Sequence, residues 1–224
     1  MNIEIISATR YSAADFQKQS ALALSLQRMS QPNIILRAQL SNTRGLPAIY
    51  NEGLQAASPD SIVVFMHDDV WIEDYFFARR LIEGLSVFDV VGLAGNRRRI
   101  PGQPGWGFVD RNFTHDTAEN LSGWMAHGQQ PGGPVVYYGH VPAACELLDG
   151  VLLAAKRSVL VANSVTFDTR FEFHCYDMDF CRAARQKGLK LGTWPIAITH
   201  QSDGVFGAGN WHQAYAAYIA KWGS

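Results

Sequence analysis

The run Ile62-Val63-Val64-Phe65-Met66 constrains this chain more than any other stretch. Its apolar residues are rich in β-branched types and show no polar alternation. Such a run predicts a strand buried on both faces, as in the parallel sheets of α/β proteins. It stops at once in His67-Asp68-Asp69-Val70. A buried parallel strand that ends in two carboxylates sets them at the carboxyl edge of its sheet, where open α/β folds bind ligands. Adjacent like charges repel, so a cation or a donor-rich ligand is the natural third party. One of the two acids is equally suited to capping a following helix. His67, directly before the pair, reads as structural.

The flanking pattern supports this placement. A first strand over 3–6 runs into the polar loop Ser7-Ala8-Thr9-Arg10, and a helix follows from 12 or 13 to 29, with Ser12 as N-cap. A second strand over 33–40 leads through Ser41-Asn42-Thr43-Arg44-Gly45 into a helix carrying Leu46, Ile49, Tyr50, Leu54 and Ala57. After the central strand, 73–85 reads as a helix and 87–94 as another buried strand. This alternation predicts an α/β fold with a mostly parallel central sheet and helices on both faces. From 96 to 140 the chain is rich in Gly, Pro, Trp and Asn with little periodicity, which reads as an irregular insertion, either a lid or a surface excursion. Order returns with a strand over 145–154, interrupted at Asp149-Gly150, and a short helix over 156–161. A helix over 177–187 is closed by Gly188, a strand over 190–198 ends in Thr199-His200, and a last helix covers 211–222.

With 224 residues and 47% hydrophobic content, one domain over 1–224 is expected. The net charge of -1 argues against a nucleic-acid groove, leaving only a local patch at Arg97-Arg98-Arg99. The three cysteines are odd in number and lack CxxC spacing, which fits a reduced compartment. No apolar run approaches a membrane span and no signal peptide is evident, so a soluble, cytoplasmic protein is expected.

Several motifs then fall into one order: Asn51-x-Gly53, Phe65-Met66-His67-Asp68-Asp69-Val70, Leu148-Asp149-Gly150, Tyr176-Asp177-Met178-Asp179-Phe180-Cys181-Arg182-Ala183 and Ile198-Thr199-His200. Together they resemble the family 2-like glycosyltransferases of the GT-A (nucleotide-diphospho-sugar transferase) fold. The similarity is to the small bacterial branch with a histidine before the acidic pair, and it covers about 46–207. The chain departs from the family in three places. The loop after the first strand lacks Pro-x-Tyr-Asn, the second strand ends in Gln39, Ser41 and Asn42 rather than an acid, and Tyr176 stands where glutamate is common. The first two departures fall where the family holds the nucleotide base.

The resemblance implies inverting, metal-dependent transfer of a sugar from a nucleotide-diphosphate donor, a UDP-sugar, to the hydroxyl of a carbohydrate or other acceptor. A divalent cation, Mn²⁺ or Mg²⁺, would neutralise the leaving diphosphate. Asp69 matches the metal-binding acid, and Asp68 would touch ribose or diphosphate. His200 is a second candidate ligand by analogy of fold, or else a partly buried histidine bonded to backbone. Ser7, Thr9 and Arg10 in the first loop and Arg44 in the second are candidates for donor binding; the arginines are equally read as solvent-facing. Asp149 would lie near donor sugar or acceptor, or serve as a turn aspartate. Trp106, Trp124, Tyr137 and Tyr138 would stack on a sugar or anchor their segment.

Helix geometry puts Asp177, Cys181 and Ala184 on one otherwise apolar face, with Asp179 roughly 200° away beside Arg182, Ala183 and Gln186. By resemblance Asp177 is the general base, kept ionised at neutral pH by nearby N–H groups, while Asp179 is a first-turn carboxylate facing the helix dipole. A nucleotidyltransferase would want a glycine-rich phosphate loop after the first strand, which Ser7-Ala8-Thr9-Arg10 lacks. A non-catalytic nucleotide-sugar binding module is the other alternative, and the acids Asp69, Asp149 and Asp177 speak against it.

Overall fold

The computed structural model describes residues 1–29, 31–202, 204 and 206–223. It opens with β1 (Ile3–Ala8), α1 (Ala13–Gln19), α2 (Ala21–Met29), β2 (Ile34–Gln39), α3 (Leu46–Ala56) and β3 (Ile62–Met66). β1 pairs in parallel with both β2 and β3, and β3 is buried throughout, as its unbroken apolar run predicts. The helix expected over 12–29 is two helices. Ser20 leaves the helical region (φ -69°, ψ 126°), and its hydroxyl donates to the Asp68 carbonyl at 2.8 Å. The Leu22 N–H reaches the same oxygen at 3.2 Å. The break lets the start of α2 clamp the acidic turn that follows β3.

The middle of the chain supplies β4 (Val70–Ile72), α4 (Phe77–Gly84), β5 (Val90–Gly92), β6 (Ala94–Asn96), β7 (Leu121–His127) and β8 (Val135–Gly139). α4 starts later than expected because Glu73 and Asp74 both donate their N–H to the Ala197 carbonyl at 3.0 Å. The strand expected over 87–94 is split at Leu93 between two sheets. The segment 96–140 is more ordered than its composition predicts, since β7 and β8 form a hairpin on β6. Glycine here marks close strand packing. Gly123 sits at φ +104°, and a Cβ there would lie 2.0 Å from the Leu93 carbonyl oxygen.

The remaining elements are β9 (Ala143–Cys145), β10 (Leu147–Leu148), β11 (Leu152–Lys156), α5 (Arg157–Ala162), α6 (Tyr176–Gln186), β12 (Leu191–Thr193), β13 (Ile198–His200) and α7 (Trp211–Trp222). One sheet runs β2-β1-β3-β11-β5-β12-β9 and the other β10-β6-β7-β13-β4, with β8 on β7. The first sheet is mixed rather than mostly parallel. β11 enters from the Asp149-Gly150 turn with no crossover helix, so it runs antiparallel to both β3 and β5. The strand expected over 190–198 likewise divides into β12 and β13, one in each sheet.

Between β3, α3 and α6 the core is aromatic. Phe167 stacks on Phe180 with centroids 4.3 Å apart and meets Phe65 edge-on at 4.8 Å. Asp179 is not on a polar face as expected: it is 1% exposed, and accepts from Lys221 Nζ and Trp222 Nε1, each at 2.7 Å. A buried carboxylate needs such partners, and these two fasten α7 to α6. Among the described residues, no helix is long and apolar enough to cross a membrane.

Candidate active site

Strand pairing builds the centre of the site. β13 runs antiparallel to β4 with His200 opposite Val70, and the Asp69 carbonyl accepts the Gln201 N–H at 3.0 Å. This register sets His200 Nε2 3.2 Å from Asp69 Oδ1. His67 Nδ1 lies 4.0 Å from the same oxygen. One ligand atom from each of the three residues falls within 4.8 Å of the others. Asp69 Oδ1 is buried and makes no hydrogen bond of good geometry among the described residues. A buried carboxylate oxygen 3.2 and 4.0 Å from two imidazole nitrogens is an arrangement that a cation between them would complete. Carboxylate plus imidazole suits Mn²⁺ well.

The protonation of His67 follows from its partners. Tyr176 Oη donates to the Gly150 carbonyl at 2.8 Å, and that carbonyl can only accept. The 2.8 Å contact between His67 Nε2 and Tyr176 Oη must therefore be donated by the histidine. With its proton on Nε2, His67 turns the lone pair of Nδ1 toward Asp69. Burial lowers the His67 pKa against the pull of Asp69, keeping the ring neutral. Burial works against ionisation of Asp69 too, but the hydrogen bond and charge of His200 outweigh it and hold the carboxyl down at about 2. His67, read as structural from the sequence, thus stands within the group that could hold a metal. Gly150 is needed for this arrangement, because a Cβ there would lie 2.4 Å from Tyr176 Oη.

In front of the group lies an open cleft of about 1150 Å³, walled in part by Thr9, Arg10, Asn42, Arg44, Asp68 and Asp69. Burial raises the pKa of Asp68, opposed by a hydrogen bond with Thr9. Arg10 is exposed on the wall and has no ion pair among the described residues. Arg44 also lines the cleft, but its guanidinium is engaged by Glu52 at 2.6 and 2.8 Å. Ser7 does not reach the cleft. β1 continues through Ala8, two residues past the expected strand end, and leaves Ser7 wholly buried.

Asp149 and Asp177 lie outside the cleft walls, and Asp149 is close enough to both Asp177 and His67 to interact electrostatically. Asp149 Oδ1 accepts the Val151 N–H at 2.7 Å, the turn role weighed from sequence. Its Oδ2 accepts Trp106 Nε1 at 2.5 Å, so a residue of the 96–140 segment orients this acid. Nothing in local periodicity singles out Trp106 from the other aromatic residues there. Asp177 stands at the head of α6 above fully buried Cys181 and Ala184, as the helical spacing predicts. Its ionisation differs from expectation. Burial, and then the charge of Asp149, push it up to about 7, outweighing the N–H groups of Met178 and Gly150.

No family model matches the chain, and no curated protein matches it in sequence. Among solved structures it is similar to the catalytic domain of Drosophila β1,4-galactosyltransferase 7 in complex with xylobiose, at 11% identity and TM-score 0.52, over 96% of this chain and 79% of that one. A mutant of that galactosyltransferase with manganese, UDP-Gal and xylobiose matches at 12% identity and TM-score 0.50, over 95% and 74% of the two chains. GalNAc-T7 with UDP, GalNAc and Mn²⁺ matches at 11% identity and TM-score 0.58, over 99% of this chain and 48% of that one. At such identities the likeness establishes the fold, which is the GT-A fold of these transferases.

Proposed function

We propose that this protein is an inverting, metal-dependent glycosyltransferase that moves a sugar from a nucleotide-diphosphate donor to an acceptor hydroxyl. The observation that carries this reading is the convergence of His67, Asp69 and His200 on one unsatisfied carboxylate oxygen at the floor of the cleft. These three residues would hold the cation, which would supply charge neutralisation to the departing diphosphate. Arg10 is suited to a donor phosphate or the base, and Asp68 with Thr9 to the ribose side. UDP in the solved complexes of the fold supports a UDP-sugar donor. The ordered motifs support a family 2-like transferase of one domain, and three buried free cysteines support a reduced, cytoplasmic setting.

Asp177 is the general base in this reading. A carboxylate with a pKa near 7 is ionised in about half of molecules at neutral pH and basic enough to take an acceptor proton. The acceptor O–H gives its proton to Asp177 as its oxygen bonds to the anomeric carbon, and the diphosphate departs with the electron pair of the broken bond. Asp149, fixed by Trp106 and Val151, keeps Asp177 basic through its charge. Incubation with a panel of UDP-sugars and Mn²⁺ tests the proposal. UDP release that requires Mn²⁺ and disappears in Asp69→Asn is expected, with inverted anomeric configuration in the product by NMR. Pyrophosphate release would make the chain a nucleotidyltransferase, retention would remove Asp177 as the base, and binding without turnover would make it a binding module.

A further inference from the structure

The run Arg97-Arg98-Arg99 is dispersed by the fold. Arg98 forms a two-pronged pair with Asp116 at 2.9 and 2.7 Å, and Arg97 donates to the Glu119 carbonyl at 3.2 Å. Arg99 is half-buried and joins a separate pocket of about 260 Å³ with Glu146, Arg182, Arg185, Gln186 and Trp222. Three guanidiniums share this concavity with one carboxylate, so the lining carries a formal excess of two positive charges. Glu146 is already paired with Arg185. Arg182 lies over the Trp222 ring at 4.6 Å and donates to the Trp222 carbonyl at 3.2 Å and the Tyr218 hydroxyl at 3.4 Å, contacts that position it without neutralising it. Arg99 has no ion pair among the described residues. Burial and the charge of Arg99 both lower the pKa of Arg185, which is the electrostatic mark of like charges gathered away from water. In a chain of net charge -1, this gathering is not the overflow of a general basic excess.

We infer that the pocket between Arg99, Arg182 and Arg185 is a second anion site that takes a phosphoryl group. The guanidinium forks present more donors than the two oxygens of a carboxylate can use, whereas a phosphate ester offers three oxygens and up to two charges to match the excess. A nucleic-acid strand is a poorer fit: the pocket is a single concavity, and its one aromatic face is covered by Arg182. The site is distinct from the cleft, since the two share no lining residue, and α6 separates Arg185 from Asp177 by eight residues, about 12 Å along the axis. It does not rest on the reading of the cleft. The phosphoryl group belongs either to a soluble phosphate ester or to a lipid headgroup, and the two are separable.

The test is calorimetric titration of inorganic phosphate into the full chain in metal-free buffer. Binding is expected to weaken at least about tenfold in Arg99→Gln and in Arg185→Gln, and to be unchanged in Arg79→Gln, on the exposed surface of α4. Arg99→Gln is the deciding variant, because it breaks no ion pair or hydrogen bond among the described residues and should keep the wild-type melting temperature. Co-sedimentation with phosphatidylcholine vesicles, with and without phosphatidic acid, identifies the source. Arg99-dependent binding to the acidic vesicles alone assigns a headgroup, and phosphate binding without vesicle binding assigns a soluble ester. Absence of phosphate binding, or binding undiminished in Arg99→Gln, overturns the inference.

Discussion

Replacing Tyr176 by phenylalanine should cripple metal binding although Tyr176 is not itself a ligand. The substitution keeps the ring, which packs against Tyr50 at 5.9 Å and Phe167 at 6.1 Å, and deletes one oxygen. That oxygen takes the Nε2 proton of His67 and donates to the Gly150 carbonyl, both at 2.8 Å. Two buried groups then lose their partner, at about 1–3 kcal/mol each. For a chain of this length each kcal/mol lowers the melting temperature by roughly 2–4 °C. The more diagnostic effect is on the tautomer. Without an acceptor beside Nε2, the proton is better placed on Nδ1, where Asp69 Oδ1 lies 4.0 Å away. His67 would then bond the carboxylate instead of sharing a cation with it. Loss of such an orienting partner typically costs 10–100-fold in metal affinity, or about 1.4–2.8 kcal/mol. The free Mn²⁺ signal in electron paramagnetic resonance, titrated against folded wild type and variant at neutral pH, measures this directly. Wild-type Mn²⁺ affinity in a folded Tyr176→Phe protein would refute the tautomer argument, and absence of binding by the wild type would refute the metal site.

Other perturbations probe the same framework. Gly150→Ala puts a methyl 2.4 Å from Tyr176 Oη and should reproduce the weakened Mn²⁺ binding; an unchanged affinity would mean that the Tyr176 hydroxyl is dispensable. Asp177→Asn should cut transfer by at least ~100-fold while leaving Mn²⁺ and donor binding intact, and near-normal turnover at saturating acceptor would shift the base to Asp149. The wild-type rate should rise with pH through about 7. Stability should move the other way. From the ordinary aspartate value of 3.8 up to about 7 the folded chain holds a proton that the unfolded chain has lost, so stability falls as pH rises through that window and levels off above it. Asp177→Asn should therefore raise the melting temperature more at about pH 8 than at about pH 5, and equal shifts would contradict the raised pKa. Asp179→Asn breaks a buried pair with Lys221 and should cost roughly 3 kcal/mol in urea unfolding, with catalysis spared in the folded fraction; an unaltered midpoint would show that this pair does not fasten α7.

Local pattern was enough for the parts of this protein that depend on one stretch of chain. The unbroken apolar run 62–66 specified a doubly buried strand, and its abrupt end specified where Asp68 and Asp69 would stand. Helical spacing alone put Asp177 above Cys181 and Ala184, because a face of 3.6-residue period is a property of consecutive residues. The ordered motifs pointed to the fold and to Asp69 and His200. What stayed hidden depends on pairing between distant segments. The runs 87–94 and 190–198 each looked like one strand, since an apolar pattern records that residues are buried and not which sheet buries them. His67 faces Asp69 with Nδ1 while Tyr176, 109 residues away, takes its Nε2 proton, and strand pairing brings in His200. Trp106 reached Asp149 across 43 residues, and burial beside Asp149 decided the ionisation of Asp177. Burial and hydrogen-bond partners set the charge state of a side chain, and for these groups both are supplied by the tertiary structure.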